Sequence, residues 1–180
     1  MIAIREYLLR IVDAELKNKL DYMGAVVIEG PKWCGKSTTA GQYCNSLFEF
    51  QDPDKKIRYD NISTTKPSLF LEGAKPRLFD EWQMYPIVWD SIRMDIDHTR
   101  LKGQYILTGS AKPKEGRTMH TGNGRIFRII MRPMSLFESK DSDGQVSLKD
   151  IIANKEISCV STLELEDIID VMIRVGGPNL

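Results

Sequence analysis

Apolar residues along this chain fall into two rhythms, and their alternation predicts the fold. Ile4, Tyr7, Leu8, Ile11 and Val12 recur at helical spacing with Arg5, Glu6, Arg10 and Asp13 on the other side, which predicts an amphipathic helix within residues 1–22. Ala25, Val26, Val27 and Ile28 then form a continuous apolar run, the mark of a strand covered on both faces. A helix is expected from about Lys36 to Ser46, a second strand at Leu47 to Gln51, and a charged, turn-rich surface stretch from Asp52 to Asn61. Arg77 to Trp82 reads as a third strand that ends in two carboxylates. Pro86 sits where first-turn prolines sit, ahead of a helical stripe of Val88, Trp89, Ile92 and Ile96. Gln104 to Ser110 and Arg125 to Met134 complete a set of five strands. After Met134 the pattern changes to short helical pieces. One of these is marked by a capping box, Ser161 with Glu164, before Leu165, Ile168, Ile169 and Met172. Strands alternating with helices predict an α/β domain built on a mainly parallel sheet.

Length and charge narrow the class. With 180 residues the chain is expected to form one domain (1–180), with an N-terminal helix at 1–22, an α/β core at 23–134 and a helical segment at 135–180. Twenty-five basic residues balance twenty-five acidic ones, so no global field draws the chain to nucleic acid or to an anionic membrane. Locally the balance is uneven. Lys112, Lys114, Arg117, Arg125, Arg128 and Arg132 are opposed in their stretch only by Glu115, whereas Glu138 to Asp170 is mostly acidic. Cys34, Cys44 and Cys159 form no paired set, and His98 and His120 stand far apart. Neither a disulfide framework nor a metal cluster is expected, and a reducing cytoplasm fits best. The charged residues among the first ten argue against a signal peptide, and no apolar run reaches membrane-spanning length.

Candidate chemistry begins directly after the first strand. Gly30, Pro31, Lys32, Trp33, Cys34, Gly35, Lys36, Ser37 and Thr38 fit the G-x-x-x-x-G-K-[ST] pattern. A backbone that must wrap around β- and γ-phosphates needs glycines, so that several N–H groups can point inward. Lys36 would supply a point charge to those phosphates, and the Ser37 hydroxyl would complete the coordination of Mg²⁺. The helix that follows would aim its positive end at the same anion. Trp33 and Cys34 need not touch phosphate: Trp33 is expected to pack over the shoulder of the loop or to stack on a base or a neighbouring subunit, and Cys34 to be a small residue that fits.

Hydrolysis asks for more than binding, namely a carboxylate for the metal and a second one for water. Leu78-Phe79-Asp80-Glu81-Trp82 offers that pair at the end of a buried strand. Asp80 would manage the metal and Glu81 would polarise the attacking water. Thr108 and Ser110, at the end of the fourth strand, are both candidates to sense the γ-phosphate. Arg125, at the entry to the fifth strand, is a candidate arginine finger for its own site or for a neighbour's, with Arg117 and Arg132 as substitutes.

The stretches IEGPKWCGKST, PRLFDEWQ, YILTGSA and GRIFRIIMRPMSLFES together resemble the AAA+-class ATP-binding proteins of bacteria and archaea, in which an N-terminal ATPase module precedes a further C-terminal domain. That resemblance implies a three-layer P-loop fold with strand order 5-1-4-3-2. It implies Lys36 and Ser37 as the phosphate-loop pair, Asp80 and Glu81 as the metal and water carboxylates, and Ser110 or Thr108 as the sensor. ATP and Mg²⁺ are the implied ligands, Mg-dependent ATP hydrolysis the implied activity, and a homo-oligomer or a protein or nucleic-acid partner the implied context. Relatives usually continue well past a GGWP stretch, so the chain is expected to be an N-terminal piece or a truncated paralogue with weak turnover. Competing readings are a small P-loop kinase, opposed by the water-activating acid pair, and a binding module that does not hydrolyse. A GTP switch is opposed because no N-K-x-D stretch follows the phosphate loop.

Overall fold

A computed structural model describes residues 7–109, 124–160 and 164–176. It divides into two compact units, Val12–Arg132 and the paired stretches Met1–Ile11 with Pro133–Leu180.

The larger unit is built on five parallel strands: β1 (Ala25–Glu29), β2 (Ser46–Glu49), β3 (Arg77–Asp80), β4 (Tyr105–Gly109) and β5 (Ile126–Ile130). Their spatial order is β2-β3-β4-β1-β5, which is the expected 5-1-4-3-2 read from the other side. β1 pairs with both β4 and β5, and its residues are buried on both faces, as the uninterrupted apolar run foretold. Helix α1 (Ile11–Tyr22) precedes β1, and α2 (Lys36–Gly41), α3 (Lys56–Thr65) and α4 (Ile87–Thr99) lie in the connections from β1 to β4.

Because side chains alternate along a strand, each strand feeds two cores. Ala25, Val27, Phe79, Tyr105 and Leu107 pack with Tyr59 of α3 and with Val88, Trp89, Ile92 and Ile96 of α4. Val26, Ile28, Leu78, Ile106 and Ile129 pack with Leu16 and Leu20 of α1 and Ala40 of α2. The same alternation puts Asp80 and Thr108, which follow Phe79 and Leu107, on the α2 face. The stripe foreseen for α4 is buried at all four positions.

Several expectations are corrected. Tyr7 to Arg10 have no regular structure and the first helix starts at Ile11. Ile11 itself is 66% exposed, and the buried face is Asp13, Leu16 and Leu20. An acid can lie there because the Tyr43 hydroxyl donates to Asp13, and burial followed by that carboxylate raises the Tyr43 phenol. α2 ends at Gly41, short of Ser46. The stretch from Asp52 is not a turn-rich loop: a 3₁₀ turn at Pro53–Lys55 leads into α3. Charge masks that helix in the sequence. A single ring, Tyr59, 2% exposed, anchors it in the aromatic cluster beside Phe48 and Phe50, at 5.4 and 5.3 Å between centroids. β5 closes at Ile130, short of Met134.

In the second unit, Glu138 gathers the stretch before α1. Its carboxylate accepts from Arg10 Nε at 3.0 Å, from the Ile11 N–H at 2.7 Å, and from the N–H and hydroxyl of Ser135 at 2.7 and 2.8 Å. Burial alone would raise its pKa; these donors and the Arg10 charge outweigh burial and hold it below the ordinary carboxylate value. Two helices follow, α5 (Leu148–Ile152) and α6 (Leu165–Gly176). Ser147 caps α5 by accepting from the Asp150 N–H at 3.1 Å. The expected stripe on α6 is exposed at Leu165, Ile168 and Ile169. Ser161 lies outside the described residues, as does the side chain of Met172.

Candidate functional site

The loop between β1 and α2 makes two backbone demands that its sequence meets. Gly35 has φ 94°, a region in which glycine alone is unstrained. Gly30 lies so close to the Met131 carbonyl that an added Cβ would collide with it. Trp33 also takes a positive φ, 68°, without being glycine, and it is 79% exposed. The expected packing of Trp33 over the loop shoulder is therefore corrected: its ring stands in solvent. Cys34 is 5% exposed and its Sγ donates to the Met131 carbonyl at 3.7 Å, so it fills the space beneath the loop.

Lys36 opens α2 and is 5% exposed. Its Nζ donates to the carbonyls of Gly30 and Pro31, at 3.1 and 2.7 Å, folding the ammonium across the loop. Ser37 faces β3, where its hydroxyl donates to Asp80 Oδ1 at 2.5 Å. Thr108, fully buried, donates to the same Asp80 oxygen. Strand register explains this contact, since Asp80 and Thr108 are paired residues of β3 and β4. The Thr108 hydroxyl also accepts from the Glu81 N–H at 3.4 Å. Glu81 takes a left-handed backbone, φ 55° and ψ 48°, which breaks β3 and starts a 3₁₀ turn at Trp82–Met84.

Lys36, Ser37, Asp80 and Thr108 thus come together at the C-terminal ends of β1, β3 and β4. The oxygens of Ser37 and Asp80 suit Mg²⁺, which takes hard oxygen ligands and asks the protein for only one or two of them. Among the described residues there is no cluster of three histidines, cysteines or acids, and a site of this kind needs none.

The other candidates fare differently. Ser110, Lys112, Lys114 and Arg117 lie outside the described residues, so Thr108 is the sensor candidate whose contacts can be stated. Arg125 is not brought to the loop, which corrects its role as a finger in its own site. It precedes Ile126, whose partner is Ala25, the first residue of β1, whereas the loop leaves β1 after Glu29. Those four steps along the strand span about 13 Å. Arg125 Nε instead bonds Asp97 at the end of α4. Arg132, by contrast, follows Met131 at the loop's own edge, where the Met131 N–H donates to the Glu29 carbonyl at 2.7 Å. Two participants escaped the sequence reading. Arg128 pairs with Glu29, a contact that crosses from β5 to β1 and is legible only once the strands are known to be neighbours. Gln83 bonds Glu81; its place two residues beyond the acid pair was the available signal.

A cavity of about 730 Å³ lined by Phe48, Ile57, Arg58, Glu72 and Arg77 among others lies apart from these groups and contains none of them. No helix among the described residues is long and apolar enough to cross a membrane.

Comparison with known proteins bears on the fold and the family. The replication initiator DnaA bound to AMPPCP and single-stranded DNA superimposes with a TM-score of 0.50, at 14% identity, over 93% of this chain and 58% of its own. A DNA replication initiation factor gives 0.52, also at 14% identity, over 94% and 57%. These likenesses show the fold, and the chain spans less than three fifths of the length of either structure. No curated protein matches it. A family model described as AAA domain matches residues 23–140, and the chain belongs to that family of AAA+-type P-loop modules.

Proposed function

We propose that this AAA module binds ATP with Mg²⁺ and hydrolyses it, coupling the nucleotide state to a partner. The observation that carries the reading is the convergence of Lys36, Ser37 and Asp80 at one edge of the sheet, with Thr108 fixing Asp80 from the neighbouring strand. The loop N–H groups and the Lys36 ammonium bind and orient the phosphates. Lys36 exchanges its two carbonyl partners for phosphate oxygens, which make stronger, charge-assisted bonds. Ser37 and Asp80 hold the cation, which when bound neutralises charge on the phosphates. Glu81 accepts a proton from water in line with the terminal phosphorus, as a general base at the end of β3. The DnaA neighbour is bound to single-stranded DNA; for this chain that makes DNA one partner to try, beside RNA and a second copy.

Glu81→Gln tests the reading. ATP affinity by calorimetry should stay within about twofold, while phosphate release falls about 10²- to 10⁴-fold. Unchanged phosphate release would remove Glu81 from the mechanism and leave a module that binds without cleaving.

A further inference from the structure

Gln83 makes a contact that the proposed function leaves without a role. The 3₁₀ turn that carries it is clamped on both sides. Trp82 is 1% exposed and stacks on Trp89 at 4.8 Å between centroids. Tyr85 is 8% exposed and donates its hydroxyl to Asp60 Oδ1 at 2.7 Å. On this fixed platform Gln83 Nε2 donates to Glu81 Oε2. The other end of the carboxamide, Oε1, is buried and lies against Gly109, where an added Cβ would come within 2.6 Å of it. Gly109 is the last residue of β4 and the register partner of Glu29, the residue from which the phosphate loop leaves β1. Gln83 therefore holds the Glu81 carboxylate from the side of β4, the strand that separates β3 from the phosphate-loop strand.

We propose that Gln83 is the positioning residue for Glu81, its amide N–H fixing the direction of the carboxylate before ATP arrives. The proposal rests on the reading of Glu81 as the base. A glutamate on a turn has three rotatable side-chain bonds, and a misplacement of about 1 Å costs on the order of a hundredfold in rate. An amide suits the task because it donates to the carboxylate without itself carrying a proton that titrates. Gly109 belongs to the same device, since any side chain there would displace the carboxamide.

Two variants separate donation from packing. Gln83→Met keeps the length and bulk and removes the N–H donors; Gln83→Glu keeps the shape and sets a like charge against Glu81. ATP dissociation constants and KM should stay within about twofold in both, while kcat falls about tenfold in Gln83→Met and further in Gln83→Glu. Adding Gln83→Met to Glu81→Gln should bring no further loss, because the two act as one unit. A nucleotide-free readout accompanies these: the Gln83 side-chain amide proton resonance should move upfield in Glu81→Ala. Wild-type kcat in Gln83→Met, or an unmoved resonance, overturns the proposal. If turnover collapses in Glu81→Gln yet is normal in Gln83→Met, Glu81 stays the base and only the role of Gln83 fails. Normal turnover in Glu81→Gln ends both.

Discussion

The two edges of the sheet use their charged groups in different ways. At the N-terminal edge, charges close onto groups of the chain itself. Tyr105 donates to Asp95 at 2.6 Å, Lys75 lies 3.7 Å from the Tyr105 ring centroid and donates to the Leu71 carbonyl, and Arg125 pairs with Asp97. Arg77 lies 4.4 Å from the centroid of the Phe48 ring. At the C-terminal edge Glu29 pairs with Arg128, but the two charges at the loop find no opposite charge: Lys36 donates to backbone carbonyls, and Asp80 accepts from two neutral hydroxyls. Neither of these charges neutralises the other, although both sit on the same rim. Opposite charges kept apart on one rim, each held by neutral groups, are suited to a ligand that carries both an anion and a cation. At the other edge, the Arg125–Asp97 pair and the cations laid on buried rings are suited to holding the fold.

Substitution at the C-terminal edge should accordingly touch the ligand far more than the fold. Lys36→Ala is expected to have the largest effect: ATP affinity measured by calorimetry should fall by about a hundredfold or more, the worth of a lost charge-assisted contact. The melting temperature without nucleotide should hardly move, since the lysine's present partners are loop carbonyls. Tight ATP binding by that variant would abolish the distinction between the edges.

The contrast also explains what could be read from the sequence. The strands that make the site were legible because buried parallel strands are continuous apolar runs, their order only through the family resemblance, and the phosphate loop because its backbone demands particular glycines. Asp80 and Glu81 were legible as acids at a strand end. Their different orientations were not, since these depend on pairing with Thr108 and on the left-handed turn at Glu81. Arg125 misled for a related reason. In a parallel sheet a strand's entry and exit lie at opposite rims, and Arg125 stands at an entry. α3 was missed because one buried ring, Tyr59, outweighs a charged surface, and that packing has no signature in local periodicity.

The pH dependence of stability offers a finer test of the groups outside the site. Burial, then the nearby Arg77 charge, brings Lys75 down from 10.5 to about 8. Between those values the unfolded chain binds more protons than the folded one, so stability should rise as pH increases from about 8 towards 10.5. It should be lost again as pH falls through 8. Tyr85 acts in the other direction: burial, then its bond to Asp60, raises the phenol from 10.0 to about 12. Its contribution is complete below pH 10 and is lost as pH rises through 12. Denaturant midpoints recorded from pH 7 to 12 should therefore rise and then fall. Lys75→Met should flatten the rise and leave the fall in place; a rise that survives this substitution would show that its cause lies elsewhere.

The smallest expected effect is at Arg125. Its side chain is 41% exposed and its partner Asp97 is 35% exposed, and ion pairs this open to solvent contribute little to stability. The hydrogen bond from Arg125, first among the causes, with its charge acting in the same direction, holds the Asp97 carboxyl below its ordinary value. Arg125→Ala should therefore lower stability slightly at neutral pH, with the difference from wild type shrinking as Asp97 is protonated in acid. Its turnover, in dilute protein where neighbouring copies do not meet, should equal that of the wild type, because the residue stands at the far rim from Lys36. Repeating the comparison at high protein concentration sharpens the point. A finger supplied to another copy would make the variant slower only where copies assemble, whereas a purely structural arginine would leave the two rates equal at every concentration. A loss of turnover in dilute protein, with stability intact, would bring Arg125 back to its own site against the register of β1 and β5.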